Sequence, residues 1–224
     1  MTVRIISSVI PKKELNLDEY AVVDLETTGV RTYSDDIIEI AVLVVKHGEP
    51  AGEFSSLVRL ERMPYVPYSV TELTGISTRM AMLEGRPLGA AMEQFLNVTR
   101  GLPLVAHNAP FDYRFLQDAW KRCNDRRVMW GNSGLPDLDN CVFDTLAMAR
   151  KLYKHTSCSL AALTEMMNID SSGAHRALKD CYMAHEVLQR MMRHPEWEKW
   201  FSQRAGWLKK TIRHKQSGME QGGK

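Results

Sequence analysis

Apolar positions alternate with polar ones early in the chain and take a helical spacing later. Residues 20–26, Y-A-V-V-D-L-E, predict a first strand, and Thr27, Thr28 and Gly29 predict the turn that ends it. Two further strands are expected at 36–46 and 53–60. Pro64 and Pro67 mark a turn region, followed by short helical pieces at 69–73 and 77–83 and a helix at 88–99. A short buried strand is expected at 103–106, and Pro110 suits the first turn of a helix running to about 124. Residues 125–140 contain W-G-N-S-G-L-P-D-L-D-N and predict a loop. A strand at 141–143 then leads into helices at 144–153 and 159–168. Ser171, Ser172 and Gly173 break the chain before a long helix at 177–193, whose stripe is Leu178, Cys181, His185, Leu188 and Met192. Three strands followed by alternating helices and strands imply an α/β fold, a mixed sheet with helices packed on it.

Beyond Pro195 the pattern changes. H-P-E-W-E-K-W-F-S-Q-R-A-G-W-L-K-K reads as an amphipathic helix, with Trp197, Trp200, Phe201, Trp207 and Leu208 on its apolar side. Seven basic residues against three acidic ones give 195–224 a charge of +4, which leaves −2 for the rest. The final S-G-M-E-Q-G-G-K reads as disordered. The expected partition is an N-terminal extension at 1–17, one domain at 18–194, and a basic, Trp-rich helix and tail at 195–224. The tail suits nucleic acid, the domain itself, a second subunit, or a polymerase or other protein partner.

Composition narrows the class without naming a partner. The 224 residues are 44% hydrophobic and 25% charged, as in an ordinary globular protein, and the net charge of +2 is small. No apolar run approaches the roughly 18 residues that a membrane span needs. The stretch M-T-V-R-I-I-S-S-V-I-P-K-K is too broken for a signal peptide. Cys123, Cys141, Cys158 and Cys181 show no C-x-x-C spacing, so reduced thiols and a cytoplasmic location are expected.

Three short segments carry the chemistry. Asp24 and Glu26 stand two apart in a strand, so they share a face. Two such charges either face water at a strand end or need a cation, from a basic side chain or a divalent metal. In V-A-H-N-A-P-F-D, Asn108 is placed to cap the helix that Pro110 opens, and Asp112 falls in its first turn. In G-A-H-R-A-L-K-D, His175 is expected on a loop and Asp180 in the first turns of the following helix.

In order, D-L-E-T-T-G, H-N-A-P-F-D-x-x-x-L and H-R-A-L-x-D resemble the three motifs of the DnaQ-like 3′→5′ exonucleases of the DEDDh type, over about residues 18–193. T-E-L-T-G-I-S at 71–77 and F-D-T-L-A-M-A-R at 143–150 are also similar to stretches of that family. The tyrosine branch has Tyr four residues before its last Asp. Arg176 stands there in this chain, and His175 precedes it, which matches the histidine branch.

The resemblance implies an RNase H-like mixed β-sheet flanked by helices, with a C-terminal helical extension. It implies that Asp24, Glu26, Asp112 and Asp180 bind two Mg²⁺ or Mn²⁺ ions and that His175 is the general base. Oxygen ligands without a Cys or multi-His set suit such hard cations. Two of them about 4 Å apart suit an in-line phosphoryl displacement. The expected reaction releases nucleoside 5′-monophosphates from a free 3′ end. Thr27, Thr28, Leu73, His107, Asn108 and Phe111 are implied as substrate contacts, with Leu73 as an apolar wedge against the terminal base. The tail and the L-T-G-I-S stretch favour DNA. RNA trimming on the same fold stays open, as does a partner-binding subunit of a polymerase or nucleoprotein complex.

Overall fold

The structure is a computed structural model that describes residues 17–129, 133–154 and 156–208. A three-strand meander starts the sheet: β1 (Glu19–Thr27), β2 (Ile37–Lys46) and β3 (Glu49–Leu57), paired antiparallel in sequence. The expected third strand began at 53, whereas β3 starts at Glu49. His47 (φ 52°) and Gly48 (φ 83°) are both left-handed and close a two-residue hairpin, which pulls the pairing forward. Pro50 is accommodated because β3 is an edge strand.

Three helices follow, α1 (Tyr68–Thr74), α2 (Thr78–Leu83) and α3 (Leu88–Val98). Gly75 ends α1 in the left-handed conformation (φ 74°), and Ser77 caps α2 by accepting from the Met80 N–H. The chain then returns parallel to β1 as β4 (Leu104–Ala106), forms α4 (Ala109–Met129), and adds β5 (Val142–Asp144) parallel to β4. The sheet order is β3-β2-β1-β4-β5. Helix α4 runs past the expected stop near 124. Its last turns are tied by ion pairs of Arg122 and Arg126 with Glu61 and of Arg127 with Glu93. The rest of the chain gives α5 (Thr145–Leu152), α6 (Leu160–Met166), α7 (Ala177–Met192) and α8 (Trp197–Ser202).

Alternation along β1 splits the core into two layers. Ala21, Val23 and Leu25 pack with α3 and α4, whereas Tyr20 and Val22 pack with α5 and α7. This is the α/β mixed sheet that the sequence predicts. No helix among the described residues is long and apolar enough to cross a membrane, and the four cysteines are buried thiols.

The segment after Pro195 departs from the single amphipathic helix expected there. Helix α8 stops at Ser202; Arg204 (φ 61°) and Gly206 (φ 88°) are left-handed and turn the chain back across the edge of β5. The Asp144 N–H donates to the Gly206 carbonyl, and the Leu208 N–H donates to the Val142 carbonyl. Trp197, Phe201 and Trp207 surround the Phe143 ring at centroid distances of 6.0, 6.0 and 5.2 Å. A Cβ on Gly206 would lie 2.6 Å from that ring. These tryptophans complete the core of the domain. Residues 1–16 of the expected N-terminal extension and 209–224 of the expected tail lie outside the described residues.

Candidate active site

Asp24 and Glu26 project from the C-terminal half of β1 on the α7 side of the sheet. Cys181 of α7 lies beneath them, its Sγ 3.5 Å from the Val22 carbonyl and 3.7 Å from that of Ala41. The first turn of α7 brings in Asp180, whose carboxylate is buried. Single carboxylate oxygens of Asp24, Glu26 and Asp180 all lie within 4.8 Å of one another. Asp112 enters from the other layer. It is buried in the first turn of α4, which starts where β4 ends alongside β1. Its carboxylate accepts from the Leu25 N–H and interacts electrostatically with Glu26 and Asp24. The four acids therefore meet at the carboxyl ends of two parallel strands, the usual ligand position in an open α/β sheet.

The electrostatics of this arrangement are unfavourable as they stand. At 4.8 Å and an effective dielectric of about 20, each ionised pair repels by about 3–4 kcal/mol. Three such pairs approach the whole stability of a typical domain, about 5–15 kcal/mol. This repulsion and burial oppose loss of the carboxyl protons. Burial raises Asp24 well above its ordinary value, and Asp112, Asp180, Glu26 and Glu39 push it further. Burial, Asp180 and Glu39 raise Glu26 to about 7. Burial raises Asp112 well above the ordinary range, against the pull of its backbone hydrogen bonds. Burial also raises Asp180, against the His175 N–H that it accepts. Three convergent carboxylates, raised by burial and mutual repulsion, fit a hard divalent cation.

His175 lies on the exposed loop before α7, as the sequence predicts, with left-handed backbone (φ 66°). Its N–H reaches both Asp180 oxygens, at 3.3 and 3.2 Å. The loop and the acid cluster are thus joined directly.

The other expected contacts divide. Leu73 stands 54% exposed at the end of α1, where T-G-I-S turns the chain and buries Ile76. Asn108 is exposed with φ 69°, and Phe111 is half-buried against Phe115 at 5.1 Å. The Thr27 hydroxyl donates to the Gly29 carbonyl at 2.6 Å. Two of the expected contacts are engaged within the protein. The Thr28 residue is buried and its hydroxyl accepts from the Asp36 N–H, which helps hold the β1–β2 loop. Both ring nitrogens of His107 are also engaged: Nε2 donates to the Cys158 carbonyl and Nδ1 accepts from Thr145 Oγ1, each at 2.9 Å. Burial lowers His107 to about 4 and keeps it neutral. It ties the end of β4 to α5 and to the loop before α6.

Two further acids shape this corner of the molecule. Asp144, not Asn108, caps this corner, its Oδ1 accepting from the N–H groups of Asn108, Ala109 and Leu146. One carboxylate thereby starts α4, which carries Asp112, and α5. Glu39 pairs with Glu26 across β1 and β2 and is 1% exposed, yet binds Arg176. Its only sequence signal is an acid inside the apolar run I-I-E-I-A-V.

The family model for exonucleases (RNase_T) matches residues 21–188. The chain is 34% identical over 173 residues to a DNA polymerase III PolC-type of Thermotoga petrophila, covering 77% of this chain and 12% of that protein. It therefore spans about an eighth of that relative. Among solved structures, E. coli Exonuclease I in complex with a dT13 oligonucleotide shares the fold with a TM-score of 0.69 at 18% identity, covering 82% of this chain and 43% of the other. Exonuclease X in complex with 5′ overhanging duplex DNA matches with a TM-score of 0.59 at 23% identity, covering 80% and 93%.

Proposed function

Because this chain belongs to the DnaQ-like exonuclease family, we propose that it hydrolyses the terminal phosphodiester at a free 3′ end. The substrate is single-stranded DNA, and the products are nucleoside 5′-monophosphates and a strand one residue shorter. The observation that carries this reading is the meeting of Asp24, Glu26 and Asp180 within 4.8 Å, beside a loop histidine anchored to the same Asp180.

In this reading Asp24, Glu26, Asp112 and Asp180 hold Mg²⁺ or Mn²⁺. When bound, the cations cancel the charge of the carboxylates and polarise the phosphodiester oxygens. The protein supplies the rest. Asp180 holds the backbone of His175 through its N–H, and the imidazole, on an exposed loop, takes the proton of the attacking water. Leu73 offers exposed apolar surface to the last base, a contact that tolerates any base. In the same reading Thr27, Asn108 and Phe111 are substrate contacts. Nucleic acid is the partner, in proofreading, repair or 3′-end trimming, and the likeness to a DNA polymerase III PolC-type supports DNA as the substrate.

The test is a time course on 5′-labelled single-stranded DNA and a matching RNA, with Mg²⁺ or Mn²⁺. A DNA ladder shortening from the 3′ end, with 5′-monophosphates in solution, is expected. Shortening of the RNA alone redirects the reading to RNA trimming. Intact DNA and RNA under all metal conditions overturn it.

A further inference from the structure

We propose that Arg176 and Glu39 are positioning residues that set the geometry of His175. The inference rests on the reading of His175 as the proton acceptor. Glu39 is a fifth acid on the face that carries Asp24 and Glu26, directly across from Glu26. Unlike the other four, its carboxylate is saturated by protein donors. Arg176 Nε and Nη2 reach it at 3.2 and 2.8 Å, the Ala177 N–H at 3.1 Å, and Ser55 Oγ at 3.3 Å. A carboxylate so engaged is a dock for the start of α7.

What it docks is the segment directly after His175. The Arg176 side chain and the Ala177 N–H hold the chain to Glu39 on one side of the histidine, and the His175 N–H holds it to Asp180 on the other. Between these anchors His175 keeps a left-handed backbone (φ 66°), which a non-glycine residue adopts only at a cost. Gly173, two residues earlier, is also left-handed (φ 77°) and offers the loop a hinge. Without the clasp the loop can relax and the imidazole swings away from the acids. The fork of Arg176 fits the carboxylate at two points, which a lysine cannot reproduce.

The experiment measures kcat and KM for 5′-labelled single-stranded DNA, with Mn²⁺ affinity, for the full chain and for R176A, R176K, E39Q, H175A and H175A/R176A. R176A is expected to lower kcat about 10–100-fold, with KM and Mn²⁺ affinity within about threefold. R176K recovers only part of the loss. The double variant is expected to be no slower than H175A alone, because a residue acting through His175 has nothing left to position. Wild-type kcat in R176A overturns the proposal. So does a loss that multiplies in the H175A background, or one that appears in KM or Mn²⁺ affinity instead. If R176A fails to fold, R176K and E39Q carry the same comparison. Wild-type kcat in H175A removes the underlying reading of the base, and inactivity of the unmutated chain removes the proposed activity, so these failures stay distinct.

Discussion

Two groups of acids stand on the same face of β1 and β2, and the protein treats them oppositely. Glu39 is buried with an arginine, a backbone N–H and a serine hydroxyl around it. Glu26, directly across from Glu39, and Asp24, two register pairs along, face Asp180 and Asp112, and their carboxyls are driven upward by burial and by one another. A compensated buried acid holds structure together. In the proposed function, uncompensated acids held close, at a cost to folding, reserve a place for a cation that binds only the folded chain.

The sharpest way to break this contrast is to neutralise one member of each group. Asp24→Asn is expected to lower nuclease turnover by about 100–1,000-fold or more. The same change raises the melting temperature in EDTA, because a repulsion is gone. A melting temperature that falls would place Asp24 with Glu39 as a structural acid. Saturating Mn²⁺ is expected to stabilise the unmutated protein by about 2.7 kcal/mol at 100 times its Kd. Differential scanning fluorimetry should show this shift vanish in Asp24→Asn and persist in Glu39→Gln.

Arg176→Ala acts in the reverse sense on stability. It leaves Glu39 buried without its charge partner. Because the guanidinium is half exposed, the expected loss is only about 1–3 kcal/mol, read by urea unfolding in EDTA. The cluster also predicts a pH dependence. Glu26 titrates at about 7 when folded and near the ordinary 4.5 when unfolded, so between these values the folded state binds more proton. Stability of the metal-free protein therefore falls as pH rises through that window. Glu26→Gln should flatten the slope in thermal melts at pH 4.5–7. The smallest effect is at the rim. Leu73→Ala should leave stability within about 0.5 kcal/mol, since the side chain is exposed, and weaken turnover on DNA by a few-fold.

Much of this was legible because the informative patterns are local. The strand that carries Asp24 and Glu26 follows from alternation over seven residues. The first-turn positions of Asp112 and Asp180 follow from a proline and from a serine–glycine break. What stayed hidden depends on distant partners. Glu39 meets an arginine 137 positions away, so the sequence shows a lone acid in an apolar run and nothing of its use. The sequence likewise cannot show that Thr145 and Cys158 meet the two ring nitrogens of His107. The tryptophans after Pro195 have a helical spacing, but Gly206 decides their fate by turning Trp207 onto Phe143. Asn108 looked like the cap beside Pro110, whereas Asp144 reaches that corner from the neighbouring strand.

The contrast between the two groups of acids is tested most directly by calorimetric titration of Mn²⁺ into the unmutated protein, Asp24→Asn, Asp180→Asn and Glu39→Gln at neutral pH. Binding to the unmutated protein and to Glu39→Gln, with loss in both aspartate variants, is the expected result. No binding to the unmutated protein, or equal loss in Glu39→Gln, would contradict it.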